Sequence, residues 1–301
     1  MKSVIALAGL LFLASFASAQ AVEEFPEGCK LVRQASLPFQ VVHGQMTVDV
    51  KVNGHPLHFI IDTGGVFSAI SHDAVQATGL SEGVIPPNWT VKDVGGAQAH
   101  HFARIEDITF GTLKSKGLTL MVVNLPKGED GIIAPDLLRN FDIDFDFANQ
   151  MISLFKHHRC DDHVVYWTDD FVKIPMLVTD QGHMRIPVSI NGAQFKATLD
   201  TGSSVTFIFQ DAARSLFGPD AGAGATHHLR GGSGGTIAGA EVKPESFILG
   251  KFKWISPVVL ASPDQSGLKG DGSQVLVGTD ILHDLHIFAD YKEGQLFVSK
   301  R

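Results

Sequence analysis

Two aspartates stand in the same short phrase, Asp62-Thr63-Gly64 and Asp200-Thr201-Gly202, 138 positions apart (200 against 62). Each follows an apolar run, Phe59-Ile60-Ile61 in the first case and Ala197-Thr198-Leu199 in the second. A carboxylate delivered from such a run is partly desolvated and must be paired or protonated. Two of them a few ångströms apart cannot both ionise cheaply, so they share one proton and offer a general base beside a general acid. That pair suits activation of water against a carbonyl carbon, and it requires neither a metal nor a covalent intermediate. Its titration belongs to both residues together.

One Asp-Thr-Gly triplet is a weak signal, and the surroundings are what make it an internal repeat. At the same displacement Gly44 falls on Gly182, Met46 on Met184, Asn53 on Asn191 and Gly54 on Gly192. Met46, Val48, Val50 and Val52 alternate with polar residues, the period of a half-buried strand. Asn53-Gly54 predicts a tight hairpin turn, and Leu57 to Ile61 a returning strand that delivers Asp62 to a loop. Met184, Ile186, Val188 and Ile190, the turn Asn191-Gly192, and Phe195 to Leu199 do the same for Asp200. A short helix is predicted from Ser71, its N-cap, to the stop at Gly79; its counterpart runs from Gln210 to Phe217. Each repeat closes alike, with Gly131-Ile132-Ile133-Ala134 before Pro135-Asp136, and Val275-Leu276-Val277-Gly278 before Thr279-Asp280.

The 301 residues allow two lobes, and 44% hydrophobic against 19% charged residues is a globular balance. A net charge of −8 without a basic patch argues against a nucleic-acid partner. Residues 1–19 read as a signal peptide: Lys2, an apolar run from Val4 to Phe16, and Ala17-Ser18-Ala19 as the cleavage site. Export to a periplasm or outside the cell is therefore expected, with no stable membrane span after cleavage. Cys29 and Cys160 then form a candidate disulfide. The expected segments are an N-terminal piece at 20–37, a first lobe at 38–158, a linker at 159–171 and a second lobe at 172–301.

Gly95-Gly96 and Gly231-Gly232 recur at matching places and are candidates for mobile hairpin lids, or flaps. Asp142, Asp144 and Asp146 do not make a calcium loop, because Phe147 and Ser153 occupy the positions that need glycine and glutamate. They read as the polar face of a strand. The pairs His100-His101 and His227-His228 point to opposite faces of a strand, so no metal set and no cofactor is read from the sequence. Ser203-Ser204 lacks a nucleophile-elbow setting.

The doubled strand-Asp-Thr-Gly phrase, each copy followed by two apolar residues, a small residue and an Asp-Leu or Asp-Ile helix, resembles the aspartic peptidase superfamily. The chain is most similar to bacterial exported aspartyl proteases, with two retropepsin-sized halves. That resemblance implies an all-β fold with a few short helices, bilobal and pepsin/retropepsin-like, with internal pseudo-twofold symmetry. It implies an aspartic endopeptidase with Asp62 and Asp200 catalytic. Thr63 and Thr201 would cross-brace the active-site loops, and Gly64 and Gly202 would let the backbone turn beneath the acids. A peptide or protein substrate would lie extended across the cleft, and one monomer would complete the site. Three departures stand out: Gly65 where the second copy has Ser203, Ala134 where the second has Gly278, and no tyrosine in either flap candidate. A Ser203 hydroxyl bonded to Asp200 would favour the ionised form there and leave the proton on Asp62. The alternative is a catalytically silent peptide-binding or structural module of the same fold.

Overall fold

A computed structural model describes residues 30–86, 91–92, 98–157, 163–224, 227–230, 236–262 and 272–301, with backbone only at 91–92, 228–230 and 236–237. In the first repeat β1 (Arg33–Val42), β2 (Gln45–Val52) and β3 (His55–Ile61) form an antiparallel meander. Asn53 and Gly54 turn the β2–β3 hairpin with φ of 49° and 84°, the all-positive turn that matches strand twist. Then β4 (Ala69–Ser71) leads into α1 (His72–Ala77), where Ser71 Oγ accepts from the Ala74 N–H at 3.0 Å. Next come β5 (Glu82–Val84), the short ladder of β6 (Val91–Lys92) and β7 (Gln98–Ala99), and the long hairpin of β8 (His101–Phe110) and β9 (Leu113–Val123). β10 (Gly131–Ile133), α2 (Pro135–Leu138), β11 (Asp142–Asp146) and β12 (Met151–Phe155) close the repeat.

The second repeat opens with β13 (Phe171–Pro175), β14 (Leu177–Val178), β15 (Met184–Ile190) and β16 (Ala193–Leu199). Asn191 and Gly192 turn its hairpin with φ of 51° and 82°. β17 (Phe207–Phe209), α3 (Gln210–Phe217), and the ladder of β18 (His227–Arg230) with β19 (Thr236–Val242) follow. β20 (Ser246–Leu249), β21 (Phe252–Ile255), β22 (Val259–Ser262), β23 (Val275–Val277), α4 (Thr279–Leu282), β24 (Leu285–Asp290) and β25 (Gln295–Lys300) complete it.

Each lobe threads one strand behind its Asp-Thr-Gly loop. β10 lies parallel to β3, with Ile133 opposite Ile61, and β23 lies parallel to β16, with Val277 opposite Leu199. The fold is thus all-β with short helices, two-lobed and pepsin-like, as the resemblance implies.

The lobes join through a shared back sheet in the order β13-β25-β24-β11-β12-β1, in which β11 and β24 pair across the middle. β1 starts at Arg33 and β13 at Phe171, so both extend into segments assigned to the N-terminal piece and the linker. Linker residue Val164 is itself buried with Phe155, Phe288 and Phe297, and anchors the crossing between lobes.

Two of the three alternating aspartates of β11 do not face solvent. Asp142 and Asp144 are 0% and 2% exposed, covered by the linker and by β24. Asp142 Oδ1 lies 2.9 Å from His157 Nδ1 and accepts the Tyr291 N–H; Asp144 pairs with His286 Nε2 at 2.6 Å and accepts from the Tyr166 hydroxyl. Trp167 stacks on His286 with centroids 3.8 Å apart. Burial and the adjacent Asp144 carboxylate push the Tyr166 phenol well up, so it stays a donor. Periodicity shows that a face is polar but cannot show what covers it. Replacing His286 by alanine would leave Asp144 buried without that hydrogen-bond partner, and should cost about 1–3 kcal/mol of stability in denaturant titration.

Residues 1–19, Cys29, Cys160, Gly95, Gly96, Gly231 and Gly232 lie outside the described residues. The β6–β7 and β18–β19 ladders flank the two glycine pairs. Among the described residues no helix is long and apolar enough to cross a membrane.

Candidate active site

The repeat places Asp62 just past β3 and Asp200 just past β16, and each is pinned by the strand threaded behind it. The Asp62 N–H donates to Ile133 O and the Asp200 N–H to Val277 O, both at 2.9 Å. The two carboxyl groups are hydrogen-bonded to each other across the lobes. Asp62 Oδ1 accepts the N–H groups of Gly64 (3.0 Å) and Gly65 (2.8 Å); Asp200 Oδ1 accepts that of Gly202 at 2.8 Å.

Burial raises the pKa of both acids, and the two are not equivalent. At Asp62 burial is opposed by the bond from Asp200, the two glycine N–H groups and the nearby His183. At Asp200 burial is reinforced by the charge of Asp62 and opposed only by the N–H groups of Gly202 and Ser203, so its pKa lies well above the carboxylate range. One proton is therefore held between the acids, and the two titrate as a pair.

Beneath the acids the threonines interlock. Thr63 Oγ1 donates to Leu199 O at 2.8 Å and accepts the Thr201 N–H at 3.1 Å. Thr201 Oγ1 donates to Ile61 O at 2.6 Å and accepts the Thr63 N–H at 3.2 Å. All four bonds are buried, so each lobe fixes the loop of the other. The glycines explain the close approach. A Cβ on Gly64 would collide with the Asp200 carboxyl, and one on Gly202 with the Asp62 carboxyl.

Over more than half its length, at residues 48–137 and 186–281, the sequence matches the family model for aspartyl proteases, once per repeat. The chain belongs to the aspartyl protease family. Its fold is similar to that of basic 7S globulin from soybean, with a TM-score of 0.50 and 10% identity, over 89% of this chain and 95% of that one. That likeness concerns the fold. No curated protein sequence matches the chain.

Within this family member, two of the departures noted in the sequence, Gly65 and Ala134, lie against each other. A Cβ on Gly65 would stand 2.9 Å from Asp62 Oδ2 and 3.3 Å from the methyl of Ala134. A Cβ on Gly278 would collide with the Val205 carbonyl and stand 2.9 Å from Ser203 O. In the first lobe Gly65 thus leaves room for the methyl of Ala134, whereas in the second the space at Gly278 is closed by the backbone of the Ser203–Val205 loop.

Several supporting residues escaped the sequence reading. Ser68 Oγ donates to Asp136 Oδ1 at 2.6 Å and accepts the Ala134 N–H; Thr206 Oγ1 donates to Asp280 Oδ1 at 2.7 Å and accepts the Gly278 N–H. Both bind the threaded strand to its loop, and the signal was a hydroxyl six positions after each aspartate. Gln45 Nε2 donates to Gly202 O, and His183, at the same place in the second repeat, approaches Gly65 O with Nε2 at 3.0 Å. A carbonyl only accepts, so that nitrogen carries a proton.

Ser203 departs from expectation. Its hydroxyl donates to Val205 O at 2.7 Å, turned toward its own loop rather than to the Asp200 carboxyl. Two variants separate these roles. His183→Gln preserves a donor to Gly65 and removes a group that lowers the Asp62 pKa, so the acid limb of a pH–rate profile should move to higher pH. Ser203→Ala should leave that limb in place.

Proposed function

We propose that the chain is an aspartic endopeptidase in which Asp62 and Asp200 together add water across a peptide bond. Ionised Asp62 takes a proton from water as the water oxygen attacks the carbonyl carbon. Protonated Asp200 gives its proton to the carbonyl oxygen, leaving a neutral tetrahedral diol. A proton then passes from Asp62 to the amide nitrogen, the C–N bond breaks, and Asp200 recovers its proton as the carboxylic acid re-forms. The pair ends as it began, with one proton between two carboxyl groups.

The observation that carries this reading is the pair itself: two carboxyls bonded to each other, one from each repeat, both with pKa values raised by burial so that they can share one proton. A substrate in extended conformation would lie across both loops, beneath the β6–β7 and β18–β19 hairpins, and a monomer supplies both acids. A cleavable leader at 1–19 and a disulfide between Cys29 and Cys160, both read from the sequence, would suit action outside the cytoplasm.

Incubating the protein with a diverse peptide mixture from acid to neutral pH, followed by mass spectrometry, tests the reading. Internal cleavage of a subset of peptides is expected. Saturable binding of peptides with none cleaved at any pH would instead establish a silent binding module.

A further inference from the structure

Three residues from separate elements converge on one side of the first lobe: His72 opens α1, Glu82 opens β5 and His101 opens β8. The sheet brings them together. Ser71 is opposite Val123 in the β4–β9 pair, His101 opposite Val122 in β8–β9, and Val84 opposite His101 in β5–β8. His72 Nδ1 lies 2.8 Å from Glu82 Oε1, His101 Nδ1 lies 3.4 Å from Glu82 Oε2, and all three ligand atoms fall within 4.8 Å of one another. The imidazoles stand edge to face, their planes at 83°, and both line a shallow cleft with Gln98, His100 and Asn124.

We propose that His72, Glu82 and His101 form a zinc site. Zinc bonds of about 2.0–2.2 Å to imidazole nitrogen and carboxylate oxygen put tetrahedral ligand atoms roughly 3.3 Å apart, close to the separations found. Two nitrogens and one carboxylate oxygen suit zinc rather than magnesium or calcium, which take oxygen ligands. The cleft leaves a fourth position to water. The three side chains are 27–41% exposed, so an ion can reach them and their mutual ion pairs contribute little by themselves. No sequence motif marks them, because spacings of ten and nineteen residues become adjacency only through the sheet.

The site is separate from the aspartate pair but close to it in the fold's wiring. An ion there would fasten the start of β8, two residues past β7, to α1, and so stiffen the root of the β6–β7 hairpin.

Isothermal titration of the chelator-stripped full chain with zinc chloride tests the proposal. One zinc per chain is expected, unaffected by millimolar magnesium, with the thermal midpoint raised by roughly 5 °C at a hundredfold excess over Kd. Glu82→Gln, which keeps the shape of the side chain, and His101→Ala should each weaken binding at least tenfold and lose the thermal shift. Zinc-free midpoints of the variants identify any that fail to fold. Absence of saturable binding to the wild type, or equal affinity in both folded variants, would overturn the proposal.

Discussion

Asp62→Asn and Asp200→Asn are each expected to reduce peptide cleavage on the order of 10³-fold or more, since either change removes one member of the acid–base pair. Their effects on stability should differ from their effects on activity. Both aspartates have folded pKa values above the ordinary one, so the native state binds more protons than the unfolded chain between the two values. Stability therefore falls as pH rises through that window, and at neutral pH the pair is a liability. In Asp200→Asn the new amide can still donate to Asp62, as protonated Asp200 does, without the charge that a second carboxylate would add. Asp200→Asn should accordingly melt no lower than the wild type at pH 7, and higher if the liability dominates, while remaining inactive. An inactive variant that is also globally destabilised would mean that the aspartate holds the lobes together rather than serving chemistry.

Gly64→Ala and Gly202→Ala should be the next most damaging changes. Neither glycine has left-handed backbone, so an alanine meets no conformational barrier there. The obstacle is the carboxyl of the opposite lobe: a methyl on Gly202 occupies the place of the Asp62 carboxyl, and one on Gly64 that of the Asp200 carboxyl. One of the acids must move by a sizeable part of an ångström, and a displacement of that order costs about 10²-fold in rate. Gly65→Ala is the graded control, because its methyl would stand 2.9 Å from Asp62 Oδ2 and 3.3 Å from Ala134. Its kcat/KM should fall less than that of Gly202→Ala. Equal rates across the three variants and the wild type would show that the loops do not set the distance between the acids.

The strands before each aspartate could be read from the sequence because the information is local. A period of two in Met46 to Val52, a turn that Asn-Gly takes comfortably, and a helix stopped by Gly79 require no knowledge of the partner lobe. The repeat then implied the pairing of Asp62 with Asp200. What remained hidden depends on contacts made late in the fold. Ser68 and Asp136 are 68 positions apart and meet only after β10 has threaded beside β3. Gln45 and His183 lie at the same place in the two repeats but differ in chemistry, so neither marks the other. Asp144 alternates with apolar residues as a solvent-facing residue does; only His286, Tyr166 and Trp167, brought from the linker and β24, make its burial tolerable. The Gly65 and Ala134 departures are two ends of one packing arrangement, which a linear reading cannot join.

The most direct test is the pH dependence of kcat/KM for the wild type on a single cleaved peptide. A bell is predicted, because only the pair with one proton has both a base and an acid. Both limbs should lie above the ordinary aspartate value, with the alkaline limb displaced further because it reports loss of the last proton from between two carboxylates. A single ionisation rising to a plateau, or an alkaline limb at the ordinary value for an aspartate, would contradict the shared proton and with it the mechanism.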